Sequence, residues 1–354
     1  AAMLIADITA VLYWVNWGLG LVFGALFARE MGRQAYFRKM PVHYPMLIAC
    51  AYGLPILLWH WGLSGSGPLL MTVAGHPFEA IFGIVPVSQT IFSGYALGNS
   101  ALILVFGIVV AYFLHPKPEN CRGIEQYTPK MIEEEAKVEE TKSLTVADKL
   151  ENNRWFAIFM VVIMLGSIAW WFSSKGFMAG LNLDSINFVF ILVGLALYHN
   201  PIAYAKAIYS AAASVGGIIL QFPFYAGIQG VMMFSGLGAT IAAGLTKIAT
   251  PFVFPLVAWF IAGIVNIFIP SGGGEWLTIG QSLGQASVNL GVPIGKTILA
   301  FGAGDAWTNL VNPFWALPIM AITGMRVRDF FGYPLMMAVL AIIPFVLGLL
   351  FIPY

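Results

Sequence analysis

Charged residues are almost absent from most of this 354-residue chain, and those present are concentrated in one segment. Asp, Glu, Lys and Arg make up 9% of the residues, against about 25% in a soluble domain, and 59% are hydrophobic. Sixteen of the 33 charges lie in residues 115–154. Elsewhere apolar runs continue for about twenty residues, whereas transmembrane β-strands alternate polar and apolar residues. The pattern predicts an all-α, polytopic transmembrane helical protein and excludes soluble enzymes and disordered proteins.

Nine apolar stretches are candidate membrane spans, since a span takes about 20 mostly apolar residues. They are 4–28, 44–63, 93–114, 155–174, 186–200, 207–234, 251–269, 298–323 and 330–352. Three shorter apolar pieces could be half-helices, surface helices or additional spans; they are 80–92, 236–249 and 277–295.

Basic residues orient the chain, because Lys and Arg in short loops favour the cytoplasmic side. One basic cluster lies within 29–39, and a basic pair lies within 324–329. We expect both, with the charged segment, to be cytoplasmic and Tyr354 to be outside. The predicted division is therefore a first, incomplete transmembrane repeat in 1–114, a charged cytoplasmic linker in 115–154, and a second repeat in 155–354.

Two regions share a pattern at an offset of 250 residues. Val15-Asn16 precedes a glycine-rich segment, and Val265-Asn266 precedes Pro-Ser-Gly-Gly-Gly. The charge-based orientation gives the two copies opposite directions, which is typical of secondary transporters with interrupted helices or re-entrant hairpins. An equal first copy would need roughly 90–100 more residues at its front, so we expect an N-terminally truncated chain.

The predicted substrate site lies at the breaks between apolar runs. Three consecutive glycines inside such a run leave backbone groups that need partners, and a helix starting there presents N–H groups to an anion. The alternatives are close helix packing through small residues and, around Pro223, an ordinary proline kink. The candidate substrate-binding residues are Asn16, Gly18, Ser64, Ser66, Gln221, Tyr225, Asn266, Ser271, Gly272, Gly273, Gly274, Thr308 and Asn309.

Few acids interrupt the apolar runs, and a carboxyl at membrane depth marks a functional pathway. Asp305 is the first choice for proton coupling, with an acid capping a helix near the interface as the alternative. Glu275 is the second candidate, with a place at the membrane surface as its alternative. His60, between Trp59 and Trp61, suits an interfacial aromatic belt better than a ligand role. Spacing predicts no metal site, and no nucleotide-binding sequence or enzyme pattern stands out.

Several of these segments resemble the bacterial short-chain fatty acid uptake transporters. The resemblance covers nearly the whole chain and is carried by residues 15–30, 221–229, 270–274, 312–318 and 328–333. It implies a secondary carrier of acetoacetate, butyrate or similar monocarboxylates. It also implies a relation to the wider ion-transporter group, whose members have inverted repeats and re-entrant hairpins.

We therefore expect a multi-pass carrier of the bacterial inner membrane that takes up short-chain fatty acids by proton symport, without a cofactor and without enzymatic activity. Sodium is the alternative coupling ion. The expected partners are a small monocarboxylate and the lipid bilayer, with a homo-oligomer left open and no nucleic acid. The alternatives are a C4-dicarboxylate or other organic-anion carrier, an integral membrane enzyme and a non-transporting membrane scaffold.

Overall fold

The computed structural model describes residues 1–129, 132, 152–247 and 249–354. Every regular element in these ranges is a helix, which confirms the all-α prediction. Most of the predicted charged linker, from 130 to 151 apart from residue 132, lies outside the described residues.

The helices before the linker alternate between long, apolar pieces and short turns. They are α1 (Ala2–Val15), α2 (Trp17–Phe37), α3 (Tyr44–Ile56), α4 (Ser66–Leu70), α5 (Glu79–Phe82) and α6 (Gly94–Leu114), with 3-10 turns at Trp59–Trp61, Val87–Gln89, Pro118–Asn120 and Ile124–Gln126.

The helices after the linker are equally varied in length. They are α7 (Arg154–Lys175), α8 (Phe177–Gly180), α9 (Leu183–Tyr198), α10 (Pro201–Ser214), α11 (Gly216–Phe234), α12 (Leu237–Thr246), α13 (Phe254–Asn266), α14 (Gly272–Leu290), α15 (Ile294–Thr308), α16 (Leu317–Thr323), α17 (Val327–Phe330) and α18 (Gly332–Phe351), with a 3-10 turn at Pro313–Ala316.

The chain forms two compact units, one of residues 1–133 with 217–354 and the other of residues 134–216. In the second unit, α7 packs against α9, and α9 packs against α10. Helix α9 begins with a capping box in which Asn182 and Ser185 satisfy each other's backbone N–H groups. It ends at His199, which has a positive φ, and α10 leaves at a bend of 119°.

The first unit is built around α3, all thirteen residues of which are buried. A helix that is apolar on every side needs neighbours on every side. Helices α1, α2 and α6 pack against α3 from the first half of the chain, and α18 packs against it from the second half. The α3 segment and the 3-10 turn that follows it therefore lie at the centre of this unit.

The two halves of this unit have a similar helix order. Helices α1, α2 and α3 correspond in order to α13, α14 and α15, and each first helix packs against the third of its set. A short turn and a short helix follow the third helix in both halves. The predicted inversion of the two copies stays a prediction.

Among the described residues, five helical segments are long and apolar enough to cross a membrane, or six if the bent pair α9–α10 is one span. The five are Tyr44–Leu70, Gly94–Leu114, Arg154–Lys175, Gly216–Phe234 and Gly332–Phe351. Of the candidate spans, 4–28, 251–269 and 298–323 do not each contain one helix long enough to cross a membrane. Asn16, for example, is extended and caps a new helix by accepting from Leu19 N–H, so α1 stops where α2 starts.

Candidate functional site

The starts of α2 and α14 occupy corresponding places in the two halves but are capped differently. At α2, the Asn16 side chain accepts from Leu19 N–H at 3.0 Å, and Ser64 Oγ accepts from Trp17 N–H at 2.9 Å. At α14, Ser271 is the N-cap residue, but its side chain forms no cap hydrogen bond. The predicted residues Asn16 and Ser64 therefore meet at a capped helix start, whereas Ser271 begins an uncapped one.

The triple glycine forms the first turn of α14. Its N–H groups have no acceptor within the helix, because the first intrahelical bond is Glu275 N–H to Ser271 C=O, at 2.7 Å. These N–H groups carry the positive end of a 19-residue helix. The turn can therefore hold an anion such as a carboxylate.

Two of the three glycines allow side chains to lie directly against this turn. A Cβ at Gly272 would collide with Nε2 and Cε1 of His60 and would lie 3.0 Å from Ser66 Oγ. A Cβ at Gly274 would lie 2.7 Å from Oε1 of Gln229, whose Nε2 donates to the Gly274 carbonyl at 3.1 Å. A Cβ at Gly273 would lie 3.5 Å from its nearest neighbours, which is an ordinary van der Waals distance.

His60 and Asp305 form a buried pair within hydrogen-bond distance in the centre of the first unit. His60 Nε2 lies 2.9 Å from Asp305 Oδ1, and each side chain is only 1% exposed. His60 comes from the 3-10 turn after α3, and Asp305 from the last turn of α15. The interpretation of His60 as an interfacial residue is wrong, and so is the alternative of an interfacial cap for Asp305, because the two groups satisfy each other in the interior.

An amide network fixes the end of α15 around Asp305. Asn266 Nδ2 lies 2.8 Å from the Asp305 carbonyl, 2.9 Å from Thr308 Oγ1 and 2.9 Å from Asn309 Oδ1. Asn309 Nδ2 in turn donates to Asp305 Oδ1 at 3.3 Å. Of the thirteen candidate binding residues, these three surround the candidate coupling acid.

Glu275 completes a cluster of three titratable side chains. It is fully buried in the first turn of α14, and its carboxyl interacts electrostatically with that of Asp305. Within the described residues, the carboxyls of Glu275 and Asp305 contact each other, and neither Glu275 oxygen nor Asp305 Oδ2 has another hydrogen-bond partner. The alternative that placed Glu275 at the membrane surface is wrong. Two adjacent buried carboxyls repel when both are ionised, so this cluster is suited to holding protons.

A cavity of about 410 Å³ opens beside the uncapped start of α14. Its lining combines apolar side chains with a hydroxyl, a phenol and an amide; the lining residues are Ile219, Phe222, Pro223, Tyr225, Ala226, Gln229, Ile269 and Ser271. Tyr225 packs against Phe314 with ring centroids 5.0 Å apart, which anchors α11 on the 3-10 turn before α16. The predicted residues Tyr225 and Ser271 thus share a cavity, whereas Gln221 is outside its lining.

A second, smaller cavity lies between the α1–α2 junction, the end of α3 and the segment that follows α15. It has about 20 Å³, enough for one water molecule, and is lined by Tyr13, Trp17, Leu21, Ile56, Trp59, Asn309 and Trp315. The Tyr13 hydroxyl and the indole N–H groups of Trp59 and Trp315 are buried and have no hydrogen-bond partner among the described residues. The Trp59 ring also lies against His60, with centroids 3.7 Å apart.

Sequence reasoning missed His60 and Gln229 as site residues. A histidine within a long apolar run was a usable signal for the first, because a titratable group at membrane depth is costly. Nothing in the local sequence marks Gln229, whose role depends on α11 packing near α14. Within the described residues no three His, Cys, Asp or Glu side chains are grouped so as to hold a metal ion.

Comparison with known proteins identifies close sequence relatives. The family model described as "Short chain fatty acid transporter" matches residues 1–352. A protein of Escherichia coli K12 named for short-chain fatty acid transport is 38% identical over 349 residues, covering 98% of this chain and 77% of the relative. A protein of Haemophilus influenzae Rd with the same kind of name is 35% identical, covering 96% of this chain and 75% of the relative.

Among solved structures, the chain is similar to Neisseria gonorrhoeae MtrF, described as illuminating a class of antimetabolite efflux pumps. The match covers 98% of this chain and 80% of MtrF, with 13% identity and a TM-score of 0.38.

Proposed function

Because the chain belongs to the short chain fatty acid transporter family, we propose that it takes up acetoacetate, butyrate or similar monocarboxylates by proton symport. Its multi-pass helical structure suits a secondary carrier, and we place it in the bacterial inner membrane. The observation that carries the coupling proposal is the fully buried His60–Asp305 pair with the Glu275 carboxyl beside it.

The buried cluster supports proton coupling through its charge balance. An isolated charge in a medium of low dielectric constant is costly, so a charge on Asp305 is stable there only when a proton on His60 or on a carboxyl compensates it. Glu275 adds a second carboxyl without adding a second cation. Protonation of one carboxyl relieves the repulsion between Glu275 and Asp305, and release of that proton restores the repulsion. In our proposal Asp305 and Glu275 therefore carry the co-transported proton.

The substrate carboxylate, in our proposal, binds at the start of α14. Ser271 and the N–H groups of Gly272 to Gly274 would donate to its two oxygens, as helix N-termini do for anions. Tyr225 and Gln229 supply additional polar groups on the opposite wall. The cavity volume of about 410 Å³ falls in the usual range for small-ligand pockets and accommodates a short acyl chain against Phe222 and Ile269.

Transport by the purified chain in proteoliposomes tests this proposal. Labelled butyrate should accumulate when the outside is made acidic without sodium, and Asp305→Asn should abolish this accumulation. Asp329→Asn is the matched control, because Asp329 pairs with exposed Arg326 and is not part of the buried cluster. Accumulation by Asp305→Asn at the wild-type rate would remove Asp305 from the coupling mechanism.

Sodium coupling is the second candidate, and one observation favours it. Apart from the contact between the Glu275 and Asp305 carboxyls, buried oxygens of Asp305, Glu275 and Asn266 have no hydrogen-bond partner among the described residues, and sodium sites are built from oxygen atoms. Butyrate accumulation that requires an inward sodium gradient at equal pH would select this alternative.

A further inference from the structure

His60 belongs to the buried cluster and also lies against the proposed carboxylate site. Its Nε2 lies 2.9 Å from Asp305 Oδ1. The same edge of the ring lies against Gly272, so closely that any Cβ at that position would collide with Nε2 and Cε1. One imidazole therefore contacts both the coupling acid and the first residue of the α14 turn.

The ring is held in this place from its other side as well. A Cβ at Gly302 would lie 2.8 Å from the His60 Cβ and 3.3 Å from its Nδ1. The Trp59 ring covers one face, with centroids 3.7 Å apart, and Phe301 lies edge-on at 5.9 Å. With glycine on two sides and aromatic rings on the others, His60 cannot swing away without moving α14 or α15.

Nδ1 is the nitrogen that can gain or lose a proton while the Nε2–H hydrogen bond to Asp305 stays formed. Nε2 is directed at Asp305, and Nδ1 has no hydrogen-bond partner among the described residues. Among the described residues, Asp305 of α15 is the titratable group that contacts the imidazole, and Glu275 of α14 lies beside Asp305. Helix α4 contributes no titratable group, and Tyr13 of α1 lines the smaller cavity. Tyr95 of α6 donates to the Leu349 carbonyl, and Lys296 lies over the Tyr95 ring.

We propose that His60 couples proton binding to carboxylate binding, such that a proton on His60 strengthens the binding of a short-chain monocarboxylate at the start of α14. This rests on the proposed function, with His60 exchanging the co-transported proton with the Asp305 and Glu275 carboxyls, and it adds the order of events. A neutral imidazole leaves Asp305 uncompensated, and its negative charge then opposes an incoming anion. An imidazolium cancels that charge and adds to the positive end of α14, where low dielectric strengthens the attraction. The proton therefore binds before the anion.

Thermodynamic linkage makes the proposal measurable. If a bound proton strengthens butyrate binding, bound butyrate strengthens proton binding by the same factor. If one proton must be bound first, the affinity for butyrate rises up to about tenfold for each pH unit on the alkaline side of the transition. Alkyl carboxylic acids have a pKa near that of Glu, about 4–5, so butyrate itself stays ionised between pH 6 and 8.

The test is butyrate binding to the purified full chain in proteoliposomes between pH 6 and 8, measured with the labelled acid. We expect the wild type to bind more tightly as pH falls. His60→Gln, which keeps a hydrogen-bond donor but does not titrate, should bind with an affinity that changes less than about threefold over this range. His115→Gln is the matched control, since His115 lies at the end of α6 with its ring on the Pro116 carbonyl, and it should behave as wild type.

A second variant keeps the test decisive if His60→Gln does not fold. Gly302→Ala retains the imidazole but pushes it from its place, so it should weaken butyrate binding at pH 6 severalfold and leave binding at pH 8 nearly unchanged. Gly107→Ala is its control, because the added Cβ there would meet only Leu54 at 3.7 Å. If His60→Gln or Gly302→Ala keeps the wild-type pH dependence, the inference about His60 is wrong and the proposed function is unaffected. A wild-type protein that binds no butyrate at any pH overturns the proposed function, and the inference with it.

Discussion

Gln229 donates a hydrogen bond to the carbonyl of Gly274 at 3.1 Å, across 45 residues of sequence. The bond joins α11, which contributes most of the larger cavity's wall, to the first turn of α14, which carries the free N–H groups. One side chain therefore sets the spacing between the two walls of the proposed substrate site.

Replacing Gln229 with Ala should weaken substrate binding without unfolding the protein. Loss of one hydrogen bond corresponds to about 0.5–1.5 kcal/mol, so the KM for butyrate uptake should rise roughly 2- to 12-fold with little change in maximal rate. Uptake kinetics in proteoliposomes measure this. Gln285→Ala is the control, because Gln285 is exposed and pairs only with Asn289 on its own helix. An unchanged KM in Gln229→Ala would argue against a substrate site beside α11.

The triple glycine should tolerate alanine unequally. Gly272→Ala places a methyl group against the His60 ring, whereas Gly273→Ala meets only ordinary contacts at 3.5 Å. We expect Gly272→Ala to lose butyrate uptake almost completely and Gly273→Ala to retain a substantial part of it. Equal losses would mean that the glycines serve the backbone conformation of the turn and not the approach of His60.

Asn266 should be important for stability as well as for the site. Its amide meets three acceptors in the interior, and truncation to Ala removes this buried donor from them, at a cost of about 1–3 kcal/mol. The melting temperature of the detergent-solubilised protein should fall measurably. Asn289→Ala, at an exposed position, is the control. A melting temperature equal to that of the wild type would show that the network contributes nothing to folding.

His43, just before α3, should make stability depend on pH. Burial, with help from the positive charges of His115 and Arg122, lowers the pKa of His43 to about 4, and Arg122 N–H donates to its Nδ1 at 3.1 Å. The unfolded chain takes up this proton near pH 6.5 and the folded chain only near pH 4. Stability should therefore decline as pH falls from about 6.5 to about 4, with no further loss below that from this residue.

The measurement is the melting temperature across this range for the wild type and for His43→Gln. The difference between the two proteins should shrink as pH falls, because the variant lacks the group that titrates. A difference that stays constant from pH 7 to pH 4 would contradict the assignment to His43.

Much of the fold was predictable because helices that are buried on all sides in a membrane need long apolar runs with few charged residues. The apolar run around α3 and the scarcity of charge gave the all-α membrane class and the approximate breaks. The exact ends of the spans were not predictable. An asparagine that caps a new helix, as Asn16 does, cannot be distinguished by sequence alone from an asparagine inside a continuous helix. Local caps compete with hydrophobic continuity, and tertiary packing decides between them.

The site was predictable only where it is local in sequence. Ser271 to Gly274 form a contiguous signal, and Asp305 is conspicuous as an acid in an apolar run. The pairing of His60 with Asp305 spans most of the chain and depends on how the turn after α3 packs against α15. No local pattern contains that information, and the flanking tryptophans suggested an interface instead.

The close packing of Trp59 against His60 also gives the protein an optical sensor of its own. An indole face attracts a cation, and the rings here are 3.7 Å apart between centroids, so the emission of Trp59 should differ between imidazole and imidazolium. Subtracting the spectrum of Trp59→Phe isolates this residue from the other ten tryptophans. The charge state of the central histidine can then be followed in time during a transport cycle, without attaching any dye.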